Sequence, residues 1–106
     1  MAYALKESDW KKFRTKIADW QENYMDRLCK EYIALLSQDK SSADRFWELE
    51  KRIRQDKRDI GVICEMKRSV MIQNLLGLLD EKAITVEDLD DFSDELKAWV
   101  KMVIRA

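Results

Sequence analysis

Histidine and proline are absent from this chain, and glycine and cysteine occur only twice each. Each shortage excludes something. Without histidine there is no catalytic triad, no imidazole base and no histidine metal ligand. Without proline, and with so little glycine, sheets joined by tight turns are disfavoured. Long apolar runs are missing too, whereas a bilayer-spanning helix needs about 20 such residues. Met1 to Trp10 lacks the basic start and apolar run of a secretory leader. A cytoplasmic protein with no membrane partner is therefore expected, with Cys29 and Cys64 reduced. Nor is there an excess of one charge. The formal net charge is -1, so nothing in bulk favours DNA or an anionic membrane.

What is present points to helices. The 106 residues suffice for one domain. They are 46% hydrophobic and 39% charged, a mixture that amphipathic helices accommodate because each keeps a stripe of either kind. Apolar residues recur in steps of three and four at Trp10, Phe13, Ile17, Trp20, Tyr24, Leu28, Tyr32, Leu35 and Leu36. The spacing predicts a first helix over about 9–37. Ser8 is its expected N-cap, and Asp9 suits the positive end of the helix dipole. Asp19 offers an alternative start for a second segment.

Gln38-Asp39-Lys40-Ser41 reads as a helical-hairpin loop. Ser41 and Asp44 have capping-box spacing, with Asp in place of the preferred Glu. A long central helix is expected over 42–79, through Phe46, Leu49 and Ile53, and then Ile60, Ile63, Met66 or Val70, Leu75, Leu78 and Leu79. Between the two halves lies Arg54–Asp59, with no apolar residue. A break at Asp59–Gly61 is the main alternative. Continuity is preferred because one glycine costs only about 1 kcal/mol in a helix interior. Asp80–Ile84 is the second turn. Thr85 and Asp88 form another capping box, and Ile84 is placed to staple onto Leu89. The third helix, 86–104, carries Leu89, Phe92, Leu96, Trp99, Val100 and Val103 on one face.

The expected fold is thus all-α: three antiparallel helices forming a bundle completed by dimerisation. Folding the first hairpin about Asp39–Lys40 pairs residues whose numbers sum to roughly 79. All three helices then overlap only at Trp10–Trp20, Ile60–Val70 and Leu96–Ile104. The remainder is an arm two helices thick. A two-helix arm cannot enclose a core, and each large apolar side chain left wet forgoes about 1.5–3 kcal/mol. A homodimer would bury them. The candidate interface is Tyr24, Leu28, Tyr32, Phe46, Trp47, Leu49 and Ile53, with Trp47 the leading single residue.

The runner-up is a nucleic-acid accessory role for the basic run Lys51, Arg52, Arg54, Lys57 and Arg58, which could contact phosphates. Ion pairs to Glu48, Glu50 and Asp56 are the competing use of those bases. Residues 80–95 hold eight acids against Lys82, an intersubunit match for the basic run. The hairpin register holds the cysteines roughly 20 Å apart, too far for a disulfide. They are expected to be buried or half-buried, and two isolated thiols do not make a zinc site. No cofactor, metal or catalytic residue is indicated, so the chain reads as a non-enzymatic interaction module with a second copy or another protein as partner.

Several stretches carry a resemblance: Asp19-Trp20-Gln21-Glu22 with Tyr24-Met25, Tyr32 to Leu36, Phe46-Trp47 with Leu49 to Arg58, then Arg68-Ser69, Asn74-Leu75-Leu76 and Ile84-Thr85. Together they resemble a group of small uncharacterised proteins of Gram-positive bacteria, similar along the whole chain. Members often carry the label "multidrug transporter". The resemblance implies no activity or site residues, and the label conflicts with a sequence in which nothing can span a bilayer.

Overall fold

The computed structural model describes residues 3–105, and every regular element among them is helical. Four α-helices form: α1 (Glu7–Leu36), α2 (Ser42–Asp56), α3 (Met71–Asp80) and α4 (Asp94–Arg105). Single 3₁₀ turns occupy Arg68–Val70 and Val86–Leu89. The all-α expectation holds, but the helix count is four.

α1 is one unbroken helix through Ala18–Asp19. It starts at Glu7, one residue before the expected Ser8 cap, and Lys6 at its N-cap supplies no side-chain bond. Its buried stripe is Trp10, Phe13, Ile17, Trp20, Tyr24 and Leu28, the helical repeat read from the sequence. Ser41 caps α2 by accepting from the Asp44 amide at 3.1 Å. α1 has no basic residue in its own last turn. Arg45 of α2 supplies one, its guanidinium donating to the Leu36 carbonyl at 2.9 Å.

The continuous 42–79 helix is corrected. α2 ends at Asp56, and turns and extended chain follow to Lys67. Both glycines of the chain lie where this joint packs closely. A Cβ on Gly61 would lie 2.4 Å from the Tyr24 ring, and one on Gly77 would lie 2.2 Å from Ile60 Cδ1. Glu81 then accepts from the Ile60 and Gly61 amides at 2.8 and 2.9 Å. Those amides would otherwise need helical partners, so a distant carboxylate substitutes for the missing turn.

The chain keeps the direction of α2 through the break. Gln21 donates to the Ile60 carbonyl at 2.9 Å, while Arg68 reaches the start of α1, pairing with Glu7 at 2.7 Å and lying 5.5 Å over the Trp10 ring. Residues 60–68 therefore run antiparallel to α1. α3 then returns: Arg27 donates to the carbonyls of Glu81 and Lys82 at 3.1 and 2.8 Å. So α3 runs parallel to α1, not antiparallel as expected. Its C-terminus closes in a Schellman motif, with the Ala83 amide bonded to the Leu78 carbonyl at 2.9 Å and the Lys82 amide to the Leu79 carbonyl at 3.1 Å. Lys82 occupies the left-handed position, φ 59°.

The Thr85–Asp88 capping box forms but opens only a 3₁₀ turn, so the final helix begins at Asp94 and not at 86. The core is Trp10, Phe13, Ile17 and Trp20 against Met71, Leu75 and Leu78, with Ile84, Leu89, Phe92, Leu96 and Val100. Residues 71–78, not 60–70, supply the middle layer. The molecule is elongated, 52 × 26 × 19 Å, with this core at one end and the α1–α2 arm at the other.

Candidate functional site

The arm is built by polar pairs across its seam. Tyr24 donates to Asp59 at 2.5 Å and Tyr32 to Asp56 at 2.6 Å. Arg52 bridges Glu31 and Asp56 and lies 5.8 Å over the Tyr32 ring. These pairs keep the expected antiparallel hairpin, slipped by roughly one helical turn. Burial beside carboxylates pushes the Tyr24 phenol up to about 12 and raises Tyr32 as well. At neutral pH each phenol is protonated and donates.

α2 has no buried residue. Phe46 and Trp47 are each 62% exposed, their rings 4.9 Å apart and edge to face. Phe46, Leu49, Glu50, Ile53, Arg54 and Lys57 line a shallow concavity of about 340 Å³. Tyr24 and Leu28 do not belong with them. They are 6% and 5% exposed, Tyr24 being covered by the joint at Asp59–Gly61, so as interface candidates both are corrected. Tyr32 and Leu49 are half-buried, and Ile53 is exposed.

The basic run is divided. Arg52 is taken by Glu31 and Asp56, and Arg54 by Glu50. Glu48 pairs with Lys40 instead. Among the described residues Lys51, Lys57 and Arg58 form no ion pair. The acidic stretch is also used locally. Asp91 pairs with Lys16, Asp94 with Lys97 and Glu95 with Lys6, Asp88 sits in the capping box and Glu81 holds the joint. Among the described residues Asp80, Glu87 and Asp90 form no ion pair.

Sequence reasoning missed Asp9. It is fully buried and accepts from Tyr3 at 2.5 Å, from the Ser93 amide at 2.8 Å and from the Ser93 hydroxyl at 2.6 Å. Ser93 Oγ also accepts from the Leu96 amide at 3.2 Å. One carboxylate thus ties the lead-in segment and the start of α4 to α1. Burial pushes its pKa up, but the bonds from Ser93 and Tyr3 outweigh burial and hold it below the ordinary value. Its partners lie 6 and 84 residues away, so local pattern gives no signal of it.

Beside that latch, Tyr3, Ala4, Lys6, Glu95, Ala98, Trp99 and Met102 line an apolar groove of about 450 Å³. Its charged groups, Lys6 and Glu95, neutralise each other at 3.0 Å. Cys64 is half-buried, and burial raises its pKa although Gln21 opposes this. Cys29 is exposed, against the expectation that both thiols are covered. No group of acidic or thiol side chains able to hold a metal ion occurs among the described residues, and none of their helices is long and apolar enough to cross a membrane. Compared with models of protein families, with curated proteins and with solved structures, the chain matches none.

Proposed function

We propose that this chain is a non-enzymatic helical interaction module that self-associates through its arm. The observation carrying this is α2: fifteen residues of helix with no buried side chain, yet bearing Phe46 and Trp47 mostly in solvent. Burying one such side chain contributes about 1.5–3 kcal/mol, and a two-helix arm has nowhere of its own to put them. A two-fold pairing supplies the missing layer. Two free thiols, one exposed, suit a reducing cytoplasmic setting. Sedimentation at tens of micromolar tests the proposal. A dimer is expected, and a strict monomer excludes it.

A second reading is nucleic-acid association through the bases of α2 and the joint. Lys51, Lys57 and Arg58 are the residues that favour it, because Arg52 and Arg54 are already neutralised. A gel shift that weakens with salt and is lost in a Lys57→Glu/Arg58→Glu variant supports this reading. Absence of binding at low salt removes it.

A further inference from the structure

The arm is two-sided. Arg45, Arg52 and Asp56 mark the line along which α2 meets α1, and Glu31 and Tyr32 mark the same line on α1. At about 100° per residue, Phe46 and Ile53 of α2 lie roughly a quarter turn from that line. Cys29 and Leu36 of α1 lie a similar angle from it, in the same rotational sense, and Ile33 lies about 150° round, at the outer edge of that side. Because the helices are antiparallel, that shared sense carries both stripes to one side of the arm. All five are exposed, Ile33 at 64%. The other side carries Arg27, Glu48, Lys51 and Gln55.

We infer that a second copy of this chain covers the apolar side, α1 lying over the copy's α1 and α2 over its α2, each pair antiparallel, so that the arms form a four-helix layer. The inference rests on the self-association proposed above and names its face and register. Charge complementarity selects a second copy over other occupants. If the two-fold axis passes at the level of Arg52, Glu50 faces Arg54 of the copy and Arg54 faces its Glu50. The existing Glu50–Arg54 pairs then meet as a square of alternating charge. In the same register Phe46 and Trp47 face Lys57 of the copy, an aromatic–cation contact made twice. The arm's face is about 22 Å long and two helices, about 20 Å, wide, a flat footprint of about 440 Å², which puts the contact at the small end of specific interfaces, below the roughly 800 Å² per partner of a standard one. The core ends point away from each other and do not clash.

Sedimentation equilibrium with small-angle scattering tests this. Two 52 Å protomers overlapping along their arms give a dimer about 80 Å long. Ile33→Asp and Phe46→Asp should each weaken it about 30-fold or more, with helical circular dichroism retained. Met102→Asp, in the groove at the core end, should leave it unchanged. Mixing the Glu50→Arg chain with the Arg54→Glu chain should yield heterodimers, since each homodimer brings like charges together. A monomeric wild type overturns this inference and the proposed function together. A dimer weakened by Met102→Asp and not by Ile33→Asp overturns this inference and also the arm as the place of self-association. A particle about 52 Å long, or a failure of the charge-swapped chains to pair, overturns only this inference.

Discussion

The ring of Tyr24 fills the place where a side chain on residue 61 would begin, with three ring atoms within 3.0 Å of a Cβ built on Gly61. The ring cannot retreat, because its hydroxyl is fixed on Asp59 and Arg27 stacks on its face at 4.7 Å. Gly61→Ala is therefore expected to destabilise the fold by about 2–3 kcal/mol, the range of overpacking. Gly77 differs. The only contact there tighter than ordinary packing is the tip of the flexible Ile60 side chain, and alanine gains about 1 kcal/mol of helix propensity. Gly77→Ala should stay within about 1 kcal/mol of the parent. Urea unfolding of the two variants distinguishes the sites, and equal losses would show that the ring is not the obstacle.

Lys82 adopts a left-handed conformation, φ 59°, at the position of a Schellman motif that glycine normally fills. Its backbone carbonyl, not its side chain, accepts from Arg27. Lys82→Gly should raise stability by about 0.5–1 kcal/mol, seen as a melting temperature a few degrees higher. A lower melting temperature would contradict this account of the turn.

All three tyrosines donate to aspartates: Tyr3 to Asp9, Tyr24 to Asp59 and Tyr32 to Asp56. Burial and the adjacent carboxylates push Tyr3 and Tyr24 up to about 12. A raised native pKa means that the fold favours the protonated phenol. The stability from these pairs is complete below pH about 10, the unfolded value, and is lost as pH rises through the native values. Phenolate absorbance should therefore appear near pH 12 in the folded protein and near pH 10 in denaturant. Ionisation near pH 10 with helicity intact would dissolve the argument.

Asp9 gives the opposite sign. Its native pKa is held below the ordinary 3.8, so its contribution is present above that value and lost as pH falls through the native one. Asp9→Asn should cost about 1–3 kcal/mol at neutral pH and flatten the acid limb of the stability curve. Ser93→Ala removes both the hydroxyl donated to Asp9 and the cap on the Leu96 amide, for about 2–3 kcal/mol. A variant as acid-sensitive as the parent after Asp9→Asn would place the acid response elsewhere.

Much of the fold was legible because it is periodic. The stripe from Trp10 to Leu28, the Ser41 cap and the Thr85–Asp88 box all depend on spacing, and they recur in the structure. The thinness of the arm followed from counting layers, although the layers are made from different segments. What could not be read depends on contacts between distant residues. Gly61 looked like a tolerable helix glycine because its cost was set against propensity alone, whereas Tyr24, 37 positions earlier, decides its role. The joint covers Tyr24, Leu28 is buried as well, and α3 reverses direction after Arg68. Asp9 gives no signal of such contacts, because its position in the first turn explains an acid there equally well through the helix dipole. On the arm, Phe46, Trp47 and Ile53 were legible, while Ile33 and Cys29 became relevant only when the contact line between α1 and α2 fixed which side they share.

α2 adds no side chain to the core, and this divides the molecule into two cooperative units. Opening α2 in a lone protomer exposes little apolar surface that was hidden, so its amides exchange by local opening long before those of α3 or of the first half of α1. Trp47 reports on that event, while Trp10 and Trp20 report on the core, and the two signals need not coincide on denaturation. Where the arm is covered by a second copy, its order becomes subject to mass action: dilution loosens α2 first and leaves the other end folded.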